Sequence, residues 1–160
     1  AETVIAAASP LPVTVVCDCD EVEGWALSMG ADVVRVAEPG LTAAVEAGVD
    51  TLGRSGVSTV VVAHGDLPLA TNLSHCADFA GVTLVPDRHH DGTPVAVVPT
   101  GAGFRFAYGP GSFAAHVAEA ERLGLPWRSL PDARLGWDVD EPADLNHSAI
   151  AVDRQAAGTT

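Results

Sequence analysis

The segment Ser58-Thr59-Val60-Val61-Val62-Ala63-His64-Gly65-Asp66-Leu67-Pro68 passes from β-branched and apolar residues straight into a turn fixed by Gly and Pro that carries one acid. Such a run, with no polar alternation, is the pattern of a strand covered on both faces, and it predicts a central strand over residues 58–63. A carboxylate is delivered just past its end. The same signature, short apolar runs stopped by turn residues, predicts strands at 12–17, 33–36, 82–85 and 95–98, and the alternation places a further strand at 126–130. Between them, Asp20-Glu21-Val22-Glu23 followed by Gly30 predicts a helix at 20–30, small apolar spacing one at 40–52, and further helices are placed at 71–80, 110–124 and 141–152. Strands alternating with helices imply an α/β three-layer sandwich with a mostly parallel sheet, its ligands outside the carboxyl ends of the strands.

The chain of 160 residues is 48% hydrophobic and has the length of one domain, with a core of its own. Eight basic residues against 21 acidic ones give a net charge of -13, the wrong sign for neutralising nucleic-acid phosphates or an anionic membrane surface. Every apolar run is broken by Asp, Gly, Pro or Arg well short of the ~20 residues that cross a bilayer. Ala1-Glu2-Thr3-Val4 lacks the basic and apolar regions of a signal peptide and reads as a chain entered partway. Cys17, Cys19 and Cys76 fit neither a disulfide framework nor a zinc ribbon, so reduced thiols and a cytoplasmic location are expected. The small, polar end of the chain reads as a frayed tail.

Four constellations could carry chemistry. Asp66 follows a buried strand, where a carboxylate can hold a hard cation such as Mg²⁺ beside a nucleotide; the alternative is a cap on a helix starting near Leu69. In Gly136-Trp137-Asp138-Val139-Asp140-Glu141-Pro142, extended backbone would put Asp138 and Asp140 on one face, about 6 to 7 Å apart at the Cα atoms. That pair can flank one cation, or Asp140 or Glu141 can instead cap the helix that follows. Tyr108-Gly109-Pro110-Gly111-Ser112-Phe113 places glycines and a Ser before a helix, where backbone N–H groups can hold a phosphate; Arg105 is near enough in sequence to add charge. In Pro86-Asp87-Arg88-His89-His90-Asp91-Gly92-Thr93 the adjacent histidines point opposite ways, which favours a solvated loop over a metal site, while Thr93 offers a hydroxyl to a substrate phosphate. His64, His75, His116 and His147 fall singly on predicted elements and read as packed or exposed. No Gly-x-Ser-x-Gly, Walker A or Gly-x-Gly-x-x-Gly pattern supports a serine hydrolase, P-loop NTPase or dinucleotide oxidoreductase.

Taken in order from about Pro12 to Leu145, these motifs resemble the 2-phospho-L-lactate guanylyltransferase family of coenzyme F420 biosynthesis, whose actinobacterial members act on phosphoenolpyruvate. The resemblance rests on Gly65-Asp66-Leu67-Pro68, Pro86-Asp87-Arg88 with Gly92-Thr93, Gly109-Pro110-Gly111-Ser112, and Asp138-Val139-Asp140 with Pro142-Ala143-Asp144-Leu145. It implies a nucleotidyltransferase fold in which Asp66 and Asp138, with Asp140 beside them, coordinate Mg²⁺, while Thr93, Gly109 and Ser112 hold the phosphate of a three-carbon acid. The implied reaction joins that phosphate to the α-phosphate of GTP and releases pyrophosphate. An already ionised phosphate oxygen needs no protein base, which agrees with the absence of an obvious one; alignment and charge neutralisation are the work left. The family opens with a strand and a Lys- and Arg-bearing loop that have no counterpart from Ala1 onward. The expectation is therefore one domain over residues 1–152 lacking that segment, then a tail over 153–160. Where the family has Leu-Asn beside the guanine, this chain has Leu41-Thr42, and Pro94 after Thr93 is a second departure. The other readings are a glycosyltransferase using Asp138-Val139-Asp140 as an Asp-x-Asp metal motif, and an inactive relative that binds a phosphorylated metabolite. The expected partners are GTP and the small acid, with no nucleic acid and no membrane, and a homodimer among the assemblies to test.

Overall fold

The computed structural model describes residues 1–37, 40–147 and 150. In chain order the helices are α1 (Glu2–Ala8), α2 (Asp20–Ser28), α3 (Leu41–Arg54) and α4 (Ser112–Arg122). The strands are β1 (Thr14–Cys17), β2 (Asp32–Arg35), β3 (Thr59–Ala63), β4 (Val82–Val85), β5 (Val95–Pro99) and β6 (Trp127–Ser129). β1 and β2 form a parallel pair, and the other four form a sheet in the order β3-β5-β4-β6. β4 and β6 are parallel, and β5 runs antiparallel to both β3 and β4. β3, β4 and β6 thus point one way, with β5 the reversed strand.

Period-two alternation explains how this sheet fills two cores. Val85, Val95 and Val97 pack on one face with Ala7 of α1 and with Leu67, Leu73, Cys76 and Leu135. Val60, Val82, Leu84, Ala96 and Val98 pack on the other, against Val45, Val49 and Leu52 of α3 and Val117 and Ala120 of α4. On both helices these side chains recur at three- and four-residue spacing, the stripe that buries a helix on a sheet. The result is the expected three-layer α/β arrangement, and no described helix is long and apolar enough to cross a membrane.

Three expectations change. The helix predicted over 71–80 is only a short 3-10 segment, Ser74–Ala77. Asn72 explains it: its side-chain oxygen accepts from both the N–H and the hydroxyl of Ser74, at 3.0 and 2.8 Å, so a local turn outcompetes a helix start. The helix predicted over 141–152 is a 3-10 segment at Pro142–Asn146; its end and the tail at 153–160 lie outside the described residues. β3, expected as a central strand, is an edge strand of its sheet with Thr59 exposed. α1, which the sequence reading did not anticipate, closes the first core through Ala7. The three cysteines are free thiols; burial pushes the Cys76 thiol up to about 11, so it is protonated at neutral pH.

Candidate active site

The reversed direction of β5 builds the site. Ala63 at the end of β3 pairs with Val95 at the start of β5, and the His64 N–H donates to the Pro94 carbonyl at 2.9 Å. Thr93, which precedes a strand, therefore arrives at the same sheet edge as Asp66, which follows one. β4 ends there too, because Val85 pairs with Val95, and Pro86-Asp87-Arg88 continues from it.

Asp66 and the late acidic segment converge at this edge: the Val139 N–H donates to the Asp66 carbonyl at 3.2 Å. Asp66 caps no helix, and its exposed carboxylate makes no hydrogen bond or ion pair among the described residues. Asp138 is buried, whereas Asp140 is exposed. Burial, together with the nearby Asp140, raises the Asp138 carboxyl above its ordinary range, and Arg88 opposes that shift. Arg88 donates to the Asp138 carbonyl and Oδ1 at 2.9 and 3.0 Å and to Asp144 Oδ1 at 2.8 Å, while its guanidinium lies 4.8 Å over the Trp137 ring. The other Asp144 oxygen accepts the N–H groups of Asp140 and Glu141, and Glu141 caps the Pro142–Asn146 segment. Of the readings of these acids, the cap is seen at Glu141, while Asp138 is buried against Arg88 instead of lying on a solvated edge.

The loop between β4 and β5 is tied by Asp87, whose carboxylate accepts the N–H groups of His89, Asp91 and Gly92 at 2.8 to 2.9 Å. Burial alone would raise that carboxyl, but these three donors outweigh it and hold it below the usual range. His89, His90 and Asp91 are exposed, as expected of a solvated loop. Asp91 nevertheless reaches α4: its carboxylate accepts the Gly111 N–H at 3.0 Å and its carbonyl accepts the Phe113 N–H at 2.9 Å. Two of the helix-start donors are thereby taken. The Gly109 N–H, on a residue with φ 126°, makes no hydrogen bond among the described residues. Thr93 and Ser112, 1% and 2% exposed, bring their hydroxyls within 3.3 Å of each other. Arg105 is turned away to Glu119, and the Thr42 hydroxyl accepts the Tyr108 N–H at 3.2 Å.

Beneath the cradle lie aromatic rings. His116 is fully buried on α4 and packs against Phe104, Phe106 and Tyr108 with ring centroids 5.0 to 5.9 Å away. His64 packs on Tyr108 at 5.1 Å, and its Nε2 and the Tyr108 hydroxyl are buried without a partner among the described residues. Burial lowers the His64 pKa while Asp66, Asp138 and Asp140 all push it back up, so one imidazole feels all three acids. No set of three or more His, Cys, Asp or Glu residues among the described ones forms a metal cage. Asp66 and Asp138 offer one carboxylate each, and Mg²⁺ is usually held by one or two carboxylates with substrate phosphates and water completing the shell.

Asp91 and His116 act here through contacts 20 and 23 positions away and Asp144 through one 56 positions away, which no local motif announces, whereas Asp87 ties its own loop. Arg88 stood in a quoted motif without a role. In a chain this acidic, a lone cation between two acid-rich loops is the one signal that could have singled it out.

The architecture is that of the nucleotide-diphospho-sugar transferase fold. A protein of Desulfovibrio desulfuricans G20 assigned as such a transferase superposes with a TM-score of 0.66 over 98% of this chain and 80% of its own, at 13% identity. Sequence similarity narrows the class. The phosphoenolpyruvate guanylyltransferase of Sphaerobacter thermophilus is 34% identical over 148 residues, covering 87% of this chain and 72% of the relative. The 2-phospho-L-lactate guanylyltransferase of Natrialba magadii is 35% identical over 146 residues, covering 86% of this chain and 59% of the relative. The chain belongs to the family described as "Guanylyl transferase CofC like", whose model matches residues 2–156.

Proposed function

We propose that this chain is a guanylyltransferase that joins the phosphate of phosphoenolpyruvate or 2-phospho-L-lactate to GMP from GTP, releasing pyrophosphate, in coenzyme F420 biosynthesis. The observation that carries the reading is one sheet edge holding both an anion cradle with unused donors and two acidic turns, in a chain of this family. Gly109 offers its N–H, and Thr93 and Ser112 offer hydroxyls, to a phosphate at the start of α4. The acids at 66 and 138 would hold Mg²⁺, which supplies charge neutralisation for the triphosphate and leaving pyrophosphate. Asp66 presents a carboxylate with no partner among the described residues, and Arg88 orients Asp138 at the same edge. A substrate phosphate oxygen is already anionic at neutral pH, so these residues position it instead of deprotonating it.

Pyrophosphate release tests the reading: the protein is mixed with GTP, Mg²⁺ and either phosphoenolpyruvate or 2-phospho-L-lactate. Release that needs both the acid and GTP supports it. Release with neither acid, or transfer from a nucleotide-sugar instead, would sink it.

A further inference from the structure

Resting on that placement of the anion, we propose that His116 is a positioning residue that sets the hydrogen-bond polarity of the Thr93–Ser112 hydroxyl pair, leaving one O–H to donate to the substrate phosphate. The Ala107 N–H donates to His116 Nε2 at 3.0 Å, so this nitrogen must carry a lone pair. In a neutral ring the proton is then on Nδ1, which lies 3.1 Å from Thr93 Oγ1 and donates to it. Neutrality follows from the site: the ring is fully buried, its neighbours His64 and Tyr108 bring no negative charge against it, and its pKa is lowered to about 4.

Proton counting gives the consequence. Thr93 and Ser112 own two hydroxyl protons, and the 3.3 Å bond between them uses one. With His116 donating, the second is free to point at a ligand, whichever of the two oxygens carries it. With the opposite tautomer, Thr93 would have to donate to Nδ1 and Ser112 to Thr93, and no hydroxyl proton would remain. A phosphate oxygen only accepts, so the first arrangement welcomes it and the second presents it with lone pairs. The choice matters here because Asp91 already holds the N–H groups of Gly111 and Phe113, which leaves the cradle short of donors. One backbone amide, that of Ala107, thereby decides through His116 whether a pair of hydroxyls faces the anion as a donor.

Two measurements test this. Long-range ¹H–¹⁵N correlation on the ligand-free protein should show His116 protonated at Nδ1 and bare at Nε2. Calorimetric titration with phosphoenolpyruvate should separate two substitutions. His116→Asn can present its amide N–H where Nδ1 stood, and should bind within about threefold of the parent. His116→Gln can present its amide only near the Nε2 position, and should weaken binding by about tenfold, the loss of one charge-assisted hydrogen bond. An Nε2-protonated ring, or equal losses in the two variants, would overturn the role of His116. Unchanged affinity in Thr93→Val, or no binding by the parent protein, would instead overturn the placement of the anion on which that role rests.

Discussion

Asp66 and Asp138 do different structural work, and their substitution should show it. The Asp66 carboxylate is exposed and has no partner among the described residues, so Asp66→Asn should change stability by no more than about 0.5 kcal/mol while lowering guanylyl transfer by on the order of 10²-fold or more. Asp138→Asn should lower transfer comparably and also lower the melting temperature, because it leaves the Arg88 guanidinium facing a neutral amide. Pyrophosphate release beside thermal unfolding separates the two effects. Near-normal turnover in either variant would count against metal binding by that acid. Arg88 itself should not tolerate Lys. An ammonium cannot reproduce a fork that reaches Asp138 and Asp144 together and stacks on Trp137, so Arg88→Lys should cost about 2 to 4 kcal/mol in denaturant unfolding.

At the scale of elements, what was legible in the chain was whatever short-range pattern controls. The short apolar, β-branched runs located β1 to β5 to within two residues, and small apolar spacing located α3, whose Val45, Val49 and Leu52 line the core. The segment after Pro68 was misjudged because the strand–helix alternation places a helix at 71–80, while a side chain, Asn72, dictates a turn. The reversal of β5 was equally invisible, since a strand buried on both faces reads alike in either direction. A backbone contact of the same hidden kind sits at Gly81, ahead of β4. A Cβ there would collide with the Pro126 carbonyl oxygen at φ 155°, at the entry to β6, the strand that pairs with β4. Gly81→Ala should therefore cost about 2 to 4 kcal/mol, whereas Gly56→Ala, at φ 93° with open space around it, should cost about 1. Similar losses at the two positions would refute the contact as the cause.

For the whole molecule, the candidate site was legible as a set of motifs but not as a mechanism. Asp66, Thr93, Gly109, Ser112 and Asp138 all sit at one sheet edge, yet among the groups that hold them Arg88, Asp91, Asp144 and His116 reveal themselves only when distant segments meet. One of those supports leaves a global signature. Burial lowers the His116 pKa from 6.5 to about 4, so between these values the unfolded chain binds a proton that the folded one refuses. Stability is then fully present above pH 6.5 and falls as the pH drops toward 4, by on the order of 3 kcal/mol from this residue. His64, lowered in the same direction, steepens the fall, whereas the Arg122-paired Glu119, held at about 2, acts between its ordinary value near 4.5 and that lower pKa. Urea unfolding between pH 7 and pH 4 should therefore show the decline, and His116→Asn should flatten it because an amide takes up no proton. An equally steep profile in that variant would mean that the buried imidazole is not the group being titrated.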